Sequence, residues 1–195
     1  MQPLILASTS RYRAELLSRL RLPFETRVPG VNETPQSGET PAQMAVRLAL
    51  AKARAVAQQL GYGLIIGSDQ VAHCDGQVLD KPGSHEPALR QLKLMRGKVT
   101  YFDTALALVN ASSGREQTAM VTTTVVMRDA SDAELEAYLT AEQPYDCAGS
   151  AKSEGLGIAL MESIAGVDPS ALIGLPLIAL VRMLRAENVS LFAPA

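Results

Sequence analysis

The residues in this sequence best suited to chemistry are a carboxylate, Asp69, and basic side chains in separate segments of the chain. Asp69 follows shortly after the apolar run 64–66, whose composition is typical of a strand covered on both faces. We predict that this strand stops at Gly67. Because ligands collect at strand ends in open α/β sheets, Asp69 is a candidate site residue. Ser68 and Asp69 would also suit a simple turn, so polar residues elsewhere must decide between the two interpretations.

Two arginines lie in the first turn of a helix that we predict over residues 11–20, after the candidate capping residues 8–10. Arg11 and Arg13 are unfavourable near the positive end of the helix dipole, and an anion bound to the free backbone N–H groups would relieve this. Alternatively, Glu15 pairs with Arg11 and Arg13 is merely solvated. That alternative explains Arg11 adequately and Arg13 poorly, so the pattern indicates an anion site near Arg13.

Lys52, Lys81 and Glu33 are further candidate site residues, and Lys52 and Glu33 each have a simpler explanation. Lys52 flanks the apolar stripe of a predicted helix over residues 41–60, where it could simply extend its ammonium group into water. Lys81 precedes Pro82, which holds the backbone extended and gives the lysine a defined direction. Glu33 on its own would be an ordinary loop carboxylate.

Composition limits the class of protein. The chain has 195 residues, 47% of them hydrophobic, which suits one domain of ordinary size with room for two lobes. The net charge of −2 argues against a nucleic-acid partner. The first residues lack the basic start and apolar run of a signal peptide, and no window reaches the roughly 18 apolar residues that span a bilayer. Cys74 and Cys147 match no metal or redox spacing, so we expect a cytoplasmic protein with reduced thiols and no membrane partner.

The periodicity and turn signals predict an α/β chain with one antiparallel strand pair on an otherwise crossover-built sheet. Thr40 caps one helix, Ser131 and Glu134 form the capping box of another, and 75–76, Asp-Gly, marks a hairpin. Strands are predicted at residues 4–7, 24–28, 64–66, 71–74, 78–79, 100–109, 118–128 and 158–161, and helices at 11–20, 41–60, 86–95, 132–140 and 176–186. The tail after Asn188 is expected to fray.

Seven short stretches are distributed in a fixed order along nearly the whole chain: residues 4–10 with Arg13, 31–33, 52–53, 66–69, 81–82, 148–149 and 174–177. Together they resemble the Maf family of nucleotide pyrophosphatases. The resemblance implies a single Maf/ITPase-like domain over residues 1–195, with a mixed twisted sheet, flanking helices and two lobes around a central cleft. It also implies a homodimer that hydrolyses nucleoside triphosphates to the monophosphate and pyrophosphate with a divalent metal, Mg²⁺ or Mn²⁺.

The same resemblance implies roles for individual residues. Asp69 matches the family's proton acceptor, and Glu33 matches an acidic residue near the metal, which Asp69 could also hold. Arg13, Lys52 and Lys81 match the family's basic residues around the phosphates, and Ser8, in the first of the matching stretches, is assigned to substrate binding. This chemistry requires such residues, because attack at the α-phosphorus adds charge that cations and Mg²⁺ stabilise. Mg²⁺ prefers one or two carboxylates together with water and substrate oxygens.

Three positions bear on the base of the nucleotide. In family members that cleave dTTP or UTP, the positions of Tyr12, Gln70 and Glu154 are usually arginine, threonine and glutamine. Residues 68–70 and 150–155 are instead similar to the branch that cleaves 7-methyl-GTP. A cationic methylated base would stack on an aromatic face, and a carboxylate can accept both N–H donors of the guanine edge. The resemblance therefore implies substrate-binding roles for Tyr12, Gln70 and Glu154; packing of Tyr12 on its own helix and a solvated Glu154 are the alternatives.

Two departures from the family leave the substrate range open. Arg11 stands where the family usually has proline, and Tyr12 stands where close relatives tend to have tryptophan, which stacks more strongly. We therefore expect hydrolysis of 7-methyl-GTP to 7-methyl-GMP and pyrophosphate. The alternatives are a broader or dTTP/UTP-type pyrophosphatase and a low-turnover, nucleotide-binding regulator of cell division.

Overall fold

The structure is a computed structural model that describes residues 2–192. Its elements form a seven-stranded sheet in the order β2-β1-β3-β5-β6-β7, with β4 paired to β3 off this path. The strands are β1 (Leu4–Ala7), β2 (Phe24–Arg27), β3 (Leu64–Cys74), β4 (Gln77–Leu79), β5 (Val99–Asn110), β6 (Glu116–Met127) and β7 (Met161–Ala165). The helices are α1 (Arg11–Ser18), α2 (Pro41–Leu60), α3 (His85–Met95), α4 (Asp132–Glu142) and α5 (Leu177–Ala186), with 3₁₀ turns at Ala148–Ser150, Leu156–Leu160 and Ala171–Ile173. The predicted mixed α/β class is confirmed.

The chain divides into two compact units. The first comprises the residues up to Asp69, Thr104–Val121 and the residues from Asp168 onward, and the second comprises Gln70–Asp103 and Thr122–Val167. Strands β3, β5 and β6 each contribute residues to both units. No helix within residues 2–192 combines the length and the apolar composition that crossing a bilayer would need.

The first unit contains three parallel strands joined by helices, together with parts of β5 and β6. Strand β1 pairs in parallel with β2 and with β3, so that Leu4 lies opposite Phe24 on one side and Leu64 on the other. Helix α2 begins as predicted: Thr40 and Gln43 form a reciprocal capping box, and Pro41 occupies the first turn. Apolar side chains from β1, α1, β3, β5 and α5 pack into one core, which includes Leu6, Leu17, Ile66, Leu108 and Leu180.

The prediction that the strand ends at Gly67 is wrong, because β3 continues from Leu64 through to Cys74. Gly67 serves a different purpose: a Cβ at this position would lie 2.1 Å from the carbonyl oxygen of Ala49 in α2. The glycine therefore lets α2 pack directly against the strand backbone. Because β3 continues past Gly67, Asp69 lies within the strand and not in a turn after it.

The second unit contains the predicted hairpin and capping box. Strands β3 and β4 pair antiparallel around Asp75 and Gly76, both of which have positive φ. Ser131 and Glu134 cap α4 reciprocally. The strand predicted at 158–161 is wrong: residues Leu156–Leu160 form a 3₁₀ turn, and β7 follows at Met161–Ala165, antiparallel to β6.

The expectation of a frayed tail after Asn188 is wrong for the first residue beyond it. Val189 is buried in the core of the first unit, and its N–H donates to the carbonyl oxygen of Leu184 at 3.0 Å. Residues 193–195 lie outside the part of the chain that the structure describes.

Candidate active site

A buried lysine shared by two carboxylates forms the centre of the candidate site. Lys52, near the middle of α2, is 5% exposed. Its Nζ lies 2.6 Å from Asp69 Oδ1 and 2.8 Å from Glu33 Oε1. Because a buried ammonium group is costly unless it is paired, this lysine is held in place by the two acids rather than snorkelling into solvent. The structure thus brings together three of the residues singled out in the sequence.

Arg13 joins this cluster from α1. Ser10 caps that helix by accepting the N–H of Arg13 at 3.4 Å, and the Nε of Arg13 donates to the carbonyl oxygen of Gly174 at 2.9 Å. Loss of hydration lowers the pKa of Arg13, whereas the negative charges of Asp69 and Glu33 raise it. The guanidinium is therefore fixed in direction by a backbone carbonyl while it lies within the field of both carboxylates.

Asp69 has a balance of opposing influences on its charge. Burial raises the pKa of Asp69 above its ordinary value, the charge and hydrogen bond of Lys52 and the charge of Arg13 lower it, and Glu33 raises it. The net direction is upward. A carboxylate that is more basic than usual, and whose charged form two cations favour, is suited to accept a proton from water.

Sequence reasoning assigned no site role to Ser68 or to Gly174, although residues 174–177 belong to one of the stretches that resemble the family. The buried hydroxyl of Ser68 lies 2.8 Å from the carbonyl oxygen of Ala105 and 2.9 Å from that of Gly174. Gly174 has φ of +119°, and a Cβ there would lie 3.4 Å from the Nε of Arg13. The glycine at the end of the 3₁₀ turn thus presents one carbonyl to both Arg13 and Ser68. The signals in the sequence were its place in a Gly-Leu-Pro turn and the resemblance of residues 174–177 to the family.

A buried acid supports the loop that carries this carbonyl. Asp168 accepts hydrogen bonds from the hydroxyl of Ser170 at 2.6 Å and from the N–H of Ile178 at 2.7 Å. The second of these bonds satisfies a backbone donor at the start of α5. The segment before α5 is therefore tied down on both sides of Gly174.

Tyr12 and Ser8 also lie in the first unit. The guanidinium carbon of Arg11 lies 4.8 Å from the centre of the Tyr12 ring, and Arg11 Nη2 donates to the Tyr12 hydroxyl at 2.7 Å. Ser8 is buried, and its hydroxyl oxygen accepts the N–H of Ser10 at 3.1 Å. Arg11 therefore contacts the aromatic ring that the sequence assigned to base stacking.

The remaining candidates belong to the second unit. Gln70 directly follows Asp69 in β3, whereas Lys81 and Glu154 are exposed in loops. The two loops are joined, because Gly149 donates its N–H to the carbonyl oxygen of Asp80 at 3.3 Å. Within this unit, the segments that carry Lys81 and Glu154 thus share a direct backbone contact.

Glu33 and Asp69 are the carboxylates available to a metal at this site. Among residues 2–192, no group of three or more histidine, cysteine or acidic side chains is arranged to hold a metal ion. Two carboxylates with oxygens within 2.8 Å of one nitrogen atom nevertheless match the donor set that Mg²⁺ takes when substrate oxygens and water complete its shell. The residues present therefore fit a hard divalent cation shared with substrate.

Comparison with known proteins places the chain in a family. Residues 3–187 match the family model described as Maf-like protein, so the chain belongs to the Maf-like family. The 7-methyl-GTP pyrophosphatase of Polaromonas sp. is 58% identical over 192 residues, covering 98% of this chain and 88% of the relative. The 7-methyl-GTP pyrophosphatase of Paraburkholderia xenovorans is 61% identical over 191 residues, covering 96% and 93%. Among solved structures, the nucleoside-triphosphatase / dITP/XTP pyrophosphatase of Mycobacterium abscessus aligns over 95% of this chain and 97% of that one, with 18% identity and a TM-score of 0.45.

Proposed function

We propose that this protein hydrolyses 7-methyl-GTP to 7-methyl-GMP and pyrophosphate. The broader class, a nucleotide pyrophosphatase and therefore a hydrolase of acid anhydride bonds, follows from the family and from relatives at 56–61% identity that carry the name 7-methyl-GTP pyrophosphatase. The observation that supports the chemistry best is the cluster in which Lys52 bridges Asp69 and Glu33.

In the proposed reaction, Asp69 accepts a proton from the attacking water. The water oxygen forms a bond to the α-phosphorus, the bond from that phosphorus to the bridging α–β oxygen breaks, and pyrophosphate leaves with the bonding electrons. Lys52 holds Asp69 ionised and fixes its orientation, because its Nζ donates to Asp69 Oδ1. Arg13, directed by the carbonyl of Gly174, opposes the negative charge that develops on the phosphate oxygens.

We further propose that Glu33 and Asp69 hold the divalent metal, Mg²⁺ or Mn²⁺. When bound, such an ion neutralises phosphate charge and polarises the α-phosphoryl group. Ser8 and Lys81 are proposed to contribute to substrate binding as the resemblance implies. The homodimer and the cytoplasmic location stay predictions.

Tyr12, Gln70 and Glu154 are proposed to recognise the base. The N7-methylated guanine is cationic and suits the face of Tyr12, and the carboxylate of Glu154 suits the N–H donors of the guanine edge. One observation favours the alternative of a broader substrate range. Arg11 contacts the Tyr12 ring, and a guanidinium there would disfavour a second cation on the same ring.

A nucleotide panel tests the proposal. Pyrophosphate release is measured with Mg²⁺ or Mn²⁺ for 7-methyl-GTP, GTP, UTP and dTTP, with a chelator control. We expect the highest kcat/KM for 7-methyl-GTP. If 7-methyl-GTP is cleaved no faster than GTP or UTP, the assigned substrate is wrong. A protein that binds nucleotides without measurable turnover would support the regulator instead.

A further inference from the structure

The loop that carries Glu154 is held at both ends by one carboxylate. Glu142, the last residue of α4, accepts a hydrogen bond from Lys152 Nζ through Oε1. Its other oxygen, Oε2, accepts the backbone N–H of Leu156 at 2.8 Å. Glu154 lies midway between these two attachment points. A single side chain of α4 therefore fixes the residues on either side of Glu154.

A tyrosine one helical turn earlier adds a second attachment. Tyr138 lies on the same face of α4 as Glu142, four residues away. Its hydroxyl donates to the carbonyl oxygen of Ser150 at 2.7 Å and accepts the N–H of Lys152 at 3.2 Å. Burial raises the pKa of Tyr138, so the phenol keeps the proton that it donates. The start of the loop is thus bound to the helix through a buried group.

The loop backbone lies directly on the Glu142 carboxylate. A Cβ at Gly155 would lie 2.7 Å from Glu142 Oε2, so a larger residue there would displace the carboxylate from its present position. The hydrogen bond from Lys152 and then that from Leu156 lower the pKa of Glu142, which keeps it ionised. Glu154 itself is exposed, and its Oε2 lies 3.4 Å from the hydroxyl of Ser153. The supporting contacts hold the loop backbone and leave the carboxylate of Glu154 facing solvent.

We propose that Glu142 and Tyr138 are positioning residues that set base specificity by holding Glu154 in one place. This inference rests on the proposed function, in which Glu154 recognises the guanine edge. If the loop is released, only a fraction of molecules present Glu154 correctly, and the apparent affinity for the matching base falls by that fraction. A base that gains nothing from Glu154 is unaffected. The expected effect is therefore a loss of discrimination rather than a general loss of activity.

Glu142→Ala and Tyr138→Phe test the inference, with Glu136→Ala as the matched control. Glu136 is an acid on the same helix whose Oε2 lies 2.7 Å from His85 Nε2, so its removal also breaks a side-chain contact but leaves the loop attached. The measured quantity is the ratio of kcat/KM between the best and the worst substrate of the wild-type panel. If about one tenth of the molecules present Glu154 correctly in Glu142→Ala, KM for the best substrate rises about tenfold. We therefore expect this variant to lower the ratio about tenfold. Glu142→Gln, which keeps an acceptor, should lie in between, and Glu136→Ala should match the wild type.

A double variant separates positioning from a general structural role. In a Glu154→Ala background, Glu142→Ala should leave the ratio unchanged, because the group it positions is already gone. A parallel fall in kcat/KM for all nucleotides, or an additive effect in the double variant, would overturn the inference. Hydrogen exchange of residues 150–156 should rise in Glu142→Ala, and unchanged protection would also overturn it. An active wild type whose best substrate is not 7-methyl-GTP refutes the proposed substrate alone; absence of all hydrolysis refutes both.

Discussion

Replacement of Lys52 by methionine would remove the charge between Asp69 and Glu33 and keep much of the side-chain volume. Lys52 Nζ lies 2.6 Å from Asp69 Oδ1, and both residues are buried. In the intact protein, burial raises the pKa of Asp69 and Lys52 counters this effect most strongly. The reaction that we propose needs ionised Asp69, so activity should fall as the pH drops through that raised pKa. Without Lys52, the fall should begin at a higher pH.

The size of this effect can be worked from the geometry. Unit charges about 4 Å apart interact by about 4 kcal/mol at an effective dielectric constant of about 20. At about 1.4 kcal/mol per pH unit, this corresponds to about three pH units if the vacated site does not relax. Arg13 still opposes the protonation of Asp69, and water can enter the vacated space. We therefore expect the acidic limb of the rate profile to move upward by about one to three pH units, the usual range for loss of a contacting opposite charge.

The assay is the pH dependence of log kcat/KM for the best nucleotide. The plateau should also drop, because Lys52 fixes the orientation of Asp69 in the proposed reaction, but the plateau height does not determine the position of the limb. Lys93→Met is the control, since Lys93 contacts Asp132 at 2.8 Å, is more exposed and belongs to the second unit. An acidic limb that stays in place while the plateau falls would refute the reasoning, because Asp69 would then not be the titrating group that Lys52 controls.

Three further predictions concern the proton acceptor Asp69, the packing of α2 on β3 at Gly67, and the proposed stacking residue Tyr12. Asp69→Asn should lower kcat by at least about a hundredfold, the contribution of a positioned general base, and abolish the acidic limb; turnover within a few-fold of the wild type would exclude the role of proton acceptor. Gly67→Ala should destabilise the fold by at least about 1–3 kcal/mol in denaturant unfolding, because its Cβ would meet the carbonyl of Ala49, and an unchanged midpoint would contradict the packing of α2 on β3. Tyr12→Ala should raise KM for 7-methyl-GTP more than for GTP, by up to about fivefold from a cation–π contact of about 1 kcal/mol, whereas equal effects would remove Tyr12 from recognition of the methylated base. Arg11→Ala provides a comparison, and should improve the preference for the methylated base if the guanidinium occupies the ring.

The sequence predicted best the features that depend on neighbouring residues. The cap of α2 at Thr40, the capping box of α4 at Ser131 and Glu134, and the hairpin at Gly76 are set by short-range hydrogen bonds and backbone preference. The residue types of the site were also present in the sequence: Arg13 was identified by its unfavourable place at a helix start, and Asp69 by the apolar run before it. The resemblance to a family then connected these separate segments.

The sequence by itself therefore determined most of the helices and strands and which charged residues were candidates for the site. Tertiary structure alone decided that β3 continues past Gly67, that one lysine serves two acids, and that the carbonyl of Gly174 directs Arg13, which is 161 residues away in the chain. The same is true of Glu142, which is an ordinary helix-terminal acid until the loop folds onto it. The physical reason is that burial and hydrogen-bond partners between distant segments depend on how the elements pack. Packing also sets the balance between desolvation and charge that determines the protonation of Asp69.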